Sequence, residues 1–178
     1  LRIPEACGHF WFSSSPEKPS RSWRAAHPRI CTWMRFGSLE GTRLWVFNLH
    51  LDHRSRMARR NSLCLLQEQI QAFFRAGDQV LVCGDFNMSA VRKEIRILKR
   101  GEPPLLDAAT SHPLGYLRPT YLGWGPFRLA KARIDVCLHS PLLGVEEYHA
   151  LDPEWNGINI SDHRALVVNL SILPRIDS

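Results

Sequence analysis

Apolar and polar positions along the chain follow two different periods. Residues 30–36 and 43–50 are strand-length apolar runs that flank Gly37 and Gly41, with Ser38 to Glu40 between those glycines, which predicts an antiparallel hairpin. From Ser55 to Ala76, Leu63, Leu66, Ile70, Phe73 and Phe74 recur at three- and four-residue steps. That spacing puts them on one face of a helix, and Gly77 is the expected C-terminal cap. Residues 80–84 read as a short apolar strand. Ser89 then caps a predicted second helix that carries Val91, Ile95 and Leu98 and stops at Gly101. After a Pro- and Gly-rich stretch at 102–128, further strands are expected near 132–138, 145–149 and 164–171. Residues 12–29, rich in Ser, Pro and basic side chains, lack periodicity and read as a surface loop entering a strand near Ile30. Strands interleaved with helices predict one layered α/β domain over residues 1–178 rather than a helical bundle.

No apolar run approaches the roughly 20 residues that a helix needs to span a membrane. The five cysteines (Cys7, Cys31, Cys64, Cys83 and Cys137) are scattered, with no C-x-x-C pair to suggest zinc or redox chemistry. Leu1 opens the chain, and no basic segment followed by an apolar run appears near it. Reduced thiols in a cytoplasmic protein are therefore expected. The short sequons at Asn87, Asn159 and Asn169 weigh little against that. A formal charge of +6 favours a polyanionic partner, although solvated basic faces account for such a charge equally well. Arg54, Arg56, Arg59 and Arg60 crowd the start of the first helix, where the macrodipole disfavours cations. Either a nearby anion offsets them or they are merely solvated.

Four polar clusters stand at predicted strand ends: Asn48 to His53, Gly84 to Asn87, Arg133 to Asp135, and Ser161 to His163. Each alone has an ordinary explanation as a turn former, a cap or a core histidine. Together they describe a shared site at the rim of a sheet. Asp85, Asn87 and Asp162 are hard oxygen donors suited to Mg²⁺ or Mn²⁺. His50 and His163 exchange protons near neutral pH, and Asp135 is placed to orient an imidazole. A clip made of His50, Asp52 and His53 ranks low, because strand alternation sends His53 to the opposite face. Arg128, Lys131 and Arg133 lie near enough in sequence to reach a phosphate or to be solvated. Tyr116, Tyr121, Trp124 and Phe127, interleaved with Arg118, Arg128 and Lys131, suit either base stacking or an apolar plug.

The ordered series from Phe10 to Pro16, Asn48 to His53, Gly84 to Asn87, Thr120-Tyr121, Arg133 to Asp135 and Ser161 to His163 resembles the endonuclease/exonuclease/phosphatase superfamily, the DNase I-like fold. The resemblance implies a partial two-sheet, four-layer α/β sandwich that lacks the first strand-helix-strand segments. It also implies one or two divalent cations in a cleft at the sheet edges. By the same resemblance Asp85 and Asn87 bind or activate the attacking water, Asp162 ligates metal, and His163 acts on the phosphate under the hold of Asp135. His50 stabilises the pentacovalent transition state. The family's main metal-binding Glu has no counterpart, since Glu5, Glu17 and Glu40 stand in the wrong context. The activity expected is therefore a weakened, metal-dependent hydrolysis of phosphate esters in a nucleic acid, an inositol phosphate or a phospholipid head group. The alternative is a noncatalytic basic binding domain derived from such an enzyme. Loss of part of one sheet is also expected to leave an exposed edge through which chains associate.

Overall fold

A computed structural model describes residues 3–37, 42–112, 118–123 and 132–173. Its main sheet contains β1 (Ala6–Trp11), β2 (Ile30–Gly37), β3 (Arg43–His50), β4 (Gln79–Asp85), β5 (Leu106–Asp107) and β6 (Asp135–His139), in the order β1-β2-β3-β4-β6-β5. Only β3 and β4 run parallel, as the intervening helix α1 (Arg56–Phe73) requires; the other pairings are antiparallel. The predicted hairpin is β2-β3, with Cys31 opposite Leu49 and Gly37 opposite Arg43. No strand was expected at 6–11, where polar and small residues dilute the apolar pattern; pairing with β2 makes one.

Alternation on β3 turns Trp45, Phe47 and Leu49 into the core beneath α1, which contributes Leu63, Leu66 and Ile70. Burying each of these α1 side chains contributes about 1.5–3 kcal/mol. The Trp45 ring stacks on Phe73 at 5.1 Å, and its indole N–H donates to Asp78 at 3.0 Å. The Ser55 side chain caps α1 by accepting from the Ala58 N–H. The helix ends at Phe73, one turn before the expected Gly77 cap: Phe74 is extended, and Gly77 supplies the positive φ of the following turn. The predicted second helix is broken. It forms a 3-10 turn at 93–95 and a short α2 (Arg96–Lys99), while Val91 lies outside on the surface. Glu94 explains the break, because its buried carboxylate pairs with Arg56 and draws the segment against the start of α1.

The opposite face of the main sheet, with Leu81, Cys83 and Cys137, packs on α3 (Ala108–Ser111) and on a second sheet of β7 (Leu143–Leu151) and β10 (Ala165–Ile172). Tyr148, Val145, Leu166 and Val168 face inward there. This is the partial DNase I-like two-sheet sandwich. Among the described residues the second sheet has two strands, each paired on one side, and Leu151, Val167 and Ile172 are exposed. A separate two-residue ribbon pairs β8 (Glu154–Trp155) with β9 (Ile158–Asn159). Among the described residues no helix is long and apolar enough to cross a membrane. All five cysteines are free; burial pushes the thiol of Cys31 up strongly and that of Cys137 up to about 12.

Candidate active site

Register places three of the predicted residues in one row across the ends of three strands. His50 on β3 lies opposite Asp85 on β4, and Asp85 lies opposite Asp135 on β6. The strands approach closely at Gly84, whose φ of +134° favours glycine and whose missing Cβ would sit 1.9 Å from the Leu49 carbonyl oxygen. His50 Nε2 stands 3.4 Å from Asp85 Oδ2. Asp85 Oδ1 accepts the Asn87 backbone N–H at 2.7 Å. Asn87 adopts φ +49°, and its side-chain amide donates to the Leu51 carbonyl at 2.9 Å, which fixes the orientation of its carbonyl oxygen.

His163 enters the row from the other sheet. Its Nδ1 is 2.8 Å from Asp135 Oδ2, and its ring lies 5.1 Å from that of Tyr121. The segment is braced from several sides. Tyr121 bridges both Ala132 and His163, the Leu122 N–H donates to the Asp162 carbonyl, and Arg164 donates to the Pro119 carbonyl and pairs with Asp152. Thr120, fully buried, accepts the N–H groups of Ile134 and Asp135 on its hydroxyl at 3.0 and 2.9 Å. This bracing is invisible in the residue pattern, because most of its partners are backbone groups far away along the chain.

Ligand atoms of Asp85, Asp135 and His163 lie within 4.8 Å of one another, the one such group among the described residues. Asp162, expected beside Asp85 and Asn87, is not in that group; its backbone carbonyl accepts the Leu122 N–H. Arg133 turns away from the row. Its guanidinium grips the buried Asp107 through bonds of 3.0 and 2.6 Å, so it serves the fold rather than a phosphate. Arg128, Lys131, Tyr116, Trp124, Phe127 and Glu40 lie outside the described residues. Asp52 is buried and receives backbone N–H groups, whereas His53 is exposed, so the two form no clip with His50.

Burial pushes the Asp85 carboxyl above its ordinary range and the Asp135 charge adds to this, against the Asn87 N–H and the two imidazoles. Burial also lowers His50, helped by the positive charge of Arg29 and opposed by Asp85. Both shifts favour the neutral forms and so weaken the ion pair between His50 and Asp85 across 3.4 Å.

A six-stranded sheet and a second sheet packed face to face, with carboxylates and imidazoles gathered at one rim, define a DNase I-like hydrolase scaffold. The sequence profile of the Endonuclease/Exonuclease/phosphatase family matches residues 10–163, and the chain belongs to that family. Among solved structures, a mannosyl-6-phosphatase from Bacteroides thetaiotaomicron superposes with a TM-score of 0.83 at 28% identity, over 96% of this chain and 67% of that one. A second endonuclease/exonuclease/phosphatase family protein from the same organism gives a TM-score of 0.81 at 28% identity, over 94% and 65%. The human Nocturnin catalytic domain, solved with bound sulfate, shares the fold at 18% identity, with a TM-score of 0.72 over 96% and 60%. This chain thus spans about two-thirds of the length of these structures. No curated protein sequence matches it.

Proposed function

We propose that this chain carries the phosphoryl-handling part of a divalent-cation-dependent phosphoric-ester hydrolase. The observation that carries the reading is the convergence of Asp85, Asp135 and His163 within 4.8 Å, with His50 alongside Asp85. Asp135 accepts from His163 Nδ1, which fixes the tautomer and leaves Nε2 to face a phosphoryl oxygen. Asp85, pushed toward neutrality by burial, takes a proton from the attacking water, and Asn87 orients that water through its pinned amide. His50 hydrogen-bonds the charge that develops on the phosphoryl group.

The oxygen donors of Asp85 and Asn87 fit Mg²⁺ or Mn²⁺ in kind, whereas Asp162, which the sequence pattern sets beside them, stands outside the cluster of Asp85, Asp135 and His163. A cation held there supplies Lewis-acid neutralisation of the phosphate. A second reading, a noncatalytic basic binding domain, draws on one feature: the cluster contains two carboxylates and no glutamate among the described residues. Glu5 instead pairs with Arg35, and Glu94 with Arg56. The same shortage makes the hydrolase reading one of weakened catalysis. The substrate is a phosphate ester of a sugar, an inositol, a phospholipid head group or a nucleic acid, and five free thiols suit a reducing, cytoplasmic setting.

The test is hydrolysis of bis-(p-nitrophenyl) phosphate while Mg²⁺ and Mn²⁺ are titrated. Turnover that depends on metal and falls by about a hundredfold or more in both Asp85→Asn and His163→Gln is expected. Absence of metal-dependent turnover with wild-type protein overturns the hydrolase reading in favour of the binding domain.

A further inference from the structure

We infer that the loop of residues 20–29 and the corner after β3 form an anion subsite in which Arg29, His27 and His53 hold a second, non-reacting phosphate of the substrate. The inference rests on the reading above, which seats the reacting phosphate among Asp85, Asp135 and His163. It starts from the shape of the loop. Trp23 and Arg24 both adopt positive φ, +56° and +60°, a conformation that non-glycine residues rarely take and that costs about 1–3 kcal/mol per residue. Such a turn persists only where its surroundings over-determine it. Here Ser55 donates its hydroxyl to the Trp23 carbonyl at 2.8 Å, Arg21 donates to the Ala26 carbonyl at 3.0 Å, and the Ala26 N–H donates to buried Asp52 at 2.6 Å.

The pinned loop gathers Arg29, His27 and His53 with no carboxylate paired to Arg29 among the described residues. The exposed His27 ring stacks on the exposed His53 ring at 5.6 Å, with planes 19° apart. Arg29 Nη2 is 3.3 Å from His53 Nδ1, and Arg29 Nε is buried without a hydrogen-bond partner. Arg35, Arg56, Arg118, Arg133 and Arg164 each have a carboxylate partner, whereas Arg29 has none among the described residues. Asp52, the acid that pins the loop, is already taken up by the backbone N–H groups of Ala26, Arg54 and Ser55. A planar guanidinium beside one imidazole, with a second imidazole stacked on the first, is a donor set for a phosphate group.

Position makes this a neighbour of the reacting centre rather than a copy of it. Cys31 pairs with Leu49, so Arg29 stands at the end of β2 beside the stretch that follows His50 on β3. The row of the site starts with His50 on the adjacent strand β3, and its carboxylates Asp85 and Asp135 stand on β4 and β6 beyond it. Two strand spacings, about 10 Å, therefore separate the backbones of β2 and β4, more than one phosphate group spans. The phosphate at Arg29 belongs to a second ester on a small substrate or to an adjacent linkage in a nucleic-acid strand, and both sources share the same chemistry.

The experiment reads the ring resonances of His27 and His53 in the whole chain, in the presence of chelator, while pyrophosphate is added. Saturable shifts of both rings are expected, with affinity about tenfold weaker in Arg29→Ala. His53→Gln, at an exposed position, weakens binding by a smaller factor and serves if Arg29→Ala fails to fold. Substrate pairs distinguish the source: a sugar bisphosphate against its monophosphate, and a dinucleotide with against one without a terminal phosphate. The pair whose kcat/KM advantage disappears in the Arg29 variant identifies it. Absence of saturable shifts, or shifts unaltered in both variants, overturns the subsite. Shifts that behave as expected in a chain with no turnover on any ester overturn the hydrolase reading and leave the anion site standing.

Discussion

Asp52 offers the sharpest test of how the site's surroundings are held. Its carboxylate is buried and accepts N–H groups from Ala26 at 2.6 Å, Arg54 at 2.9 Å and Ser55 at 2.6 Å, tying the loop before β2 to the start of α1. Burial by itself would raise the Asp52 carboxyl, but the backbone donors of Ser55, Ala26, Arg54 and His27 outweigh it and hold the group below its ordinary value. Asp52→Ala leaves these donors without an acceptor, at about 1–3 kcal/mol each. Relaxation admits water to some of them, so a total loss of about 3–5 kcal/mol is expected. Asp52→Asn keeps one oxygen but turns an NH₂ toward a donor, and a loss of about 2–3 kcal/mol is expected. That is a large part of a total stability of about 5–15 kcal/mol. Urea denaturation measures both losses. Because the folded carboxyl is depressed, the contribution is complete above the unfolded value near pH 3.9 and declines as the pH falls through the folded one. The gap between wild type and Asp52→Asn should therefore narrow in strong acid and stay constant from about pH 5 upward. An Asp52→Asn protein within about 0.5 kcal/mol of wild type at neutral pH would refute the argument.

Further outcomes follow from the packing. Gly84→Ala must place a methyl group 1.9 Å from the Leu49 carbonyl at a positive φ, so an unfolded or aggregated product, or a melting temperature lowered by more than about 10 °C, is expected in thermal denaturation. The Arg133–Asp107 pair is buried on both sides, and Asp107→Ala strands the guanidinium at a cost of about 3–5 kcal/mol, read by denaturant titration. Replacing both partners with apolar residues should recover much of that loss. The half-paired strands β7 and β10, with Leu151, Val167 and Ile172 exposed, should support concentration-dependent association that Val167→Lys reduces in sedimentation experiments.

Local pattern was enough to read the β2-β3 hairpin, the start and buried face of α1, the late strands and the four polar clusters. Each depends on residues close together in sequence: alternation on β3, the Ser55 cap, and the spacing of Leu63, Leu66 and Ile70. The order of the clusters carried the family. Where the reading failed, a distant partner decided the outcome. α1 stops at Phe73 because the turn that follows closes on Asp78, which also holds Trp45. The helix expected after Ser89 breaks where Glu94 reaches Arg56.

The amino-acid sequence by itself therefore determined which chemistry the chain carries and on which strand ends it stands, because strand periodicity and side-chain type are local properties. Only the tertiary structure decided which of those groups meet. Strand register set His50 beside Asp85 and Asp85 beside Asp135, and packing of the second sheet brought His163 to Asp135. The same packing turned Arg133 inward to Asp107 and left Arg29 Nε buried without a partner among the described residues. Residues this far apart in the chain become neighbours only through backbone pairing and core burial, which no short stretch of sequence encodes.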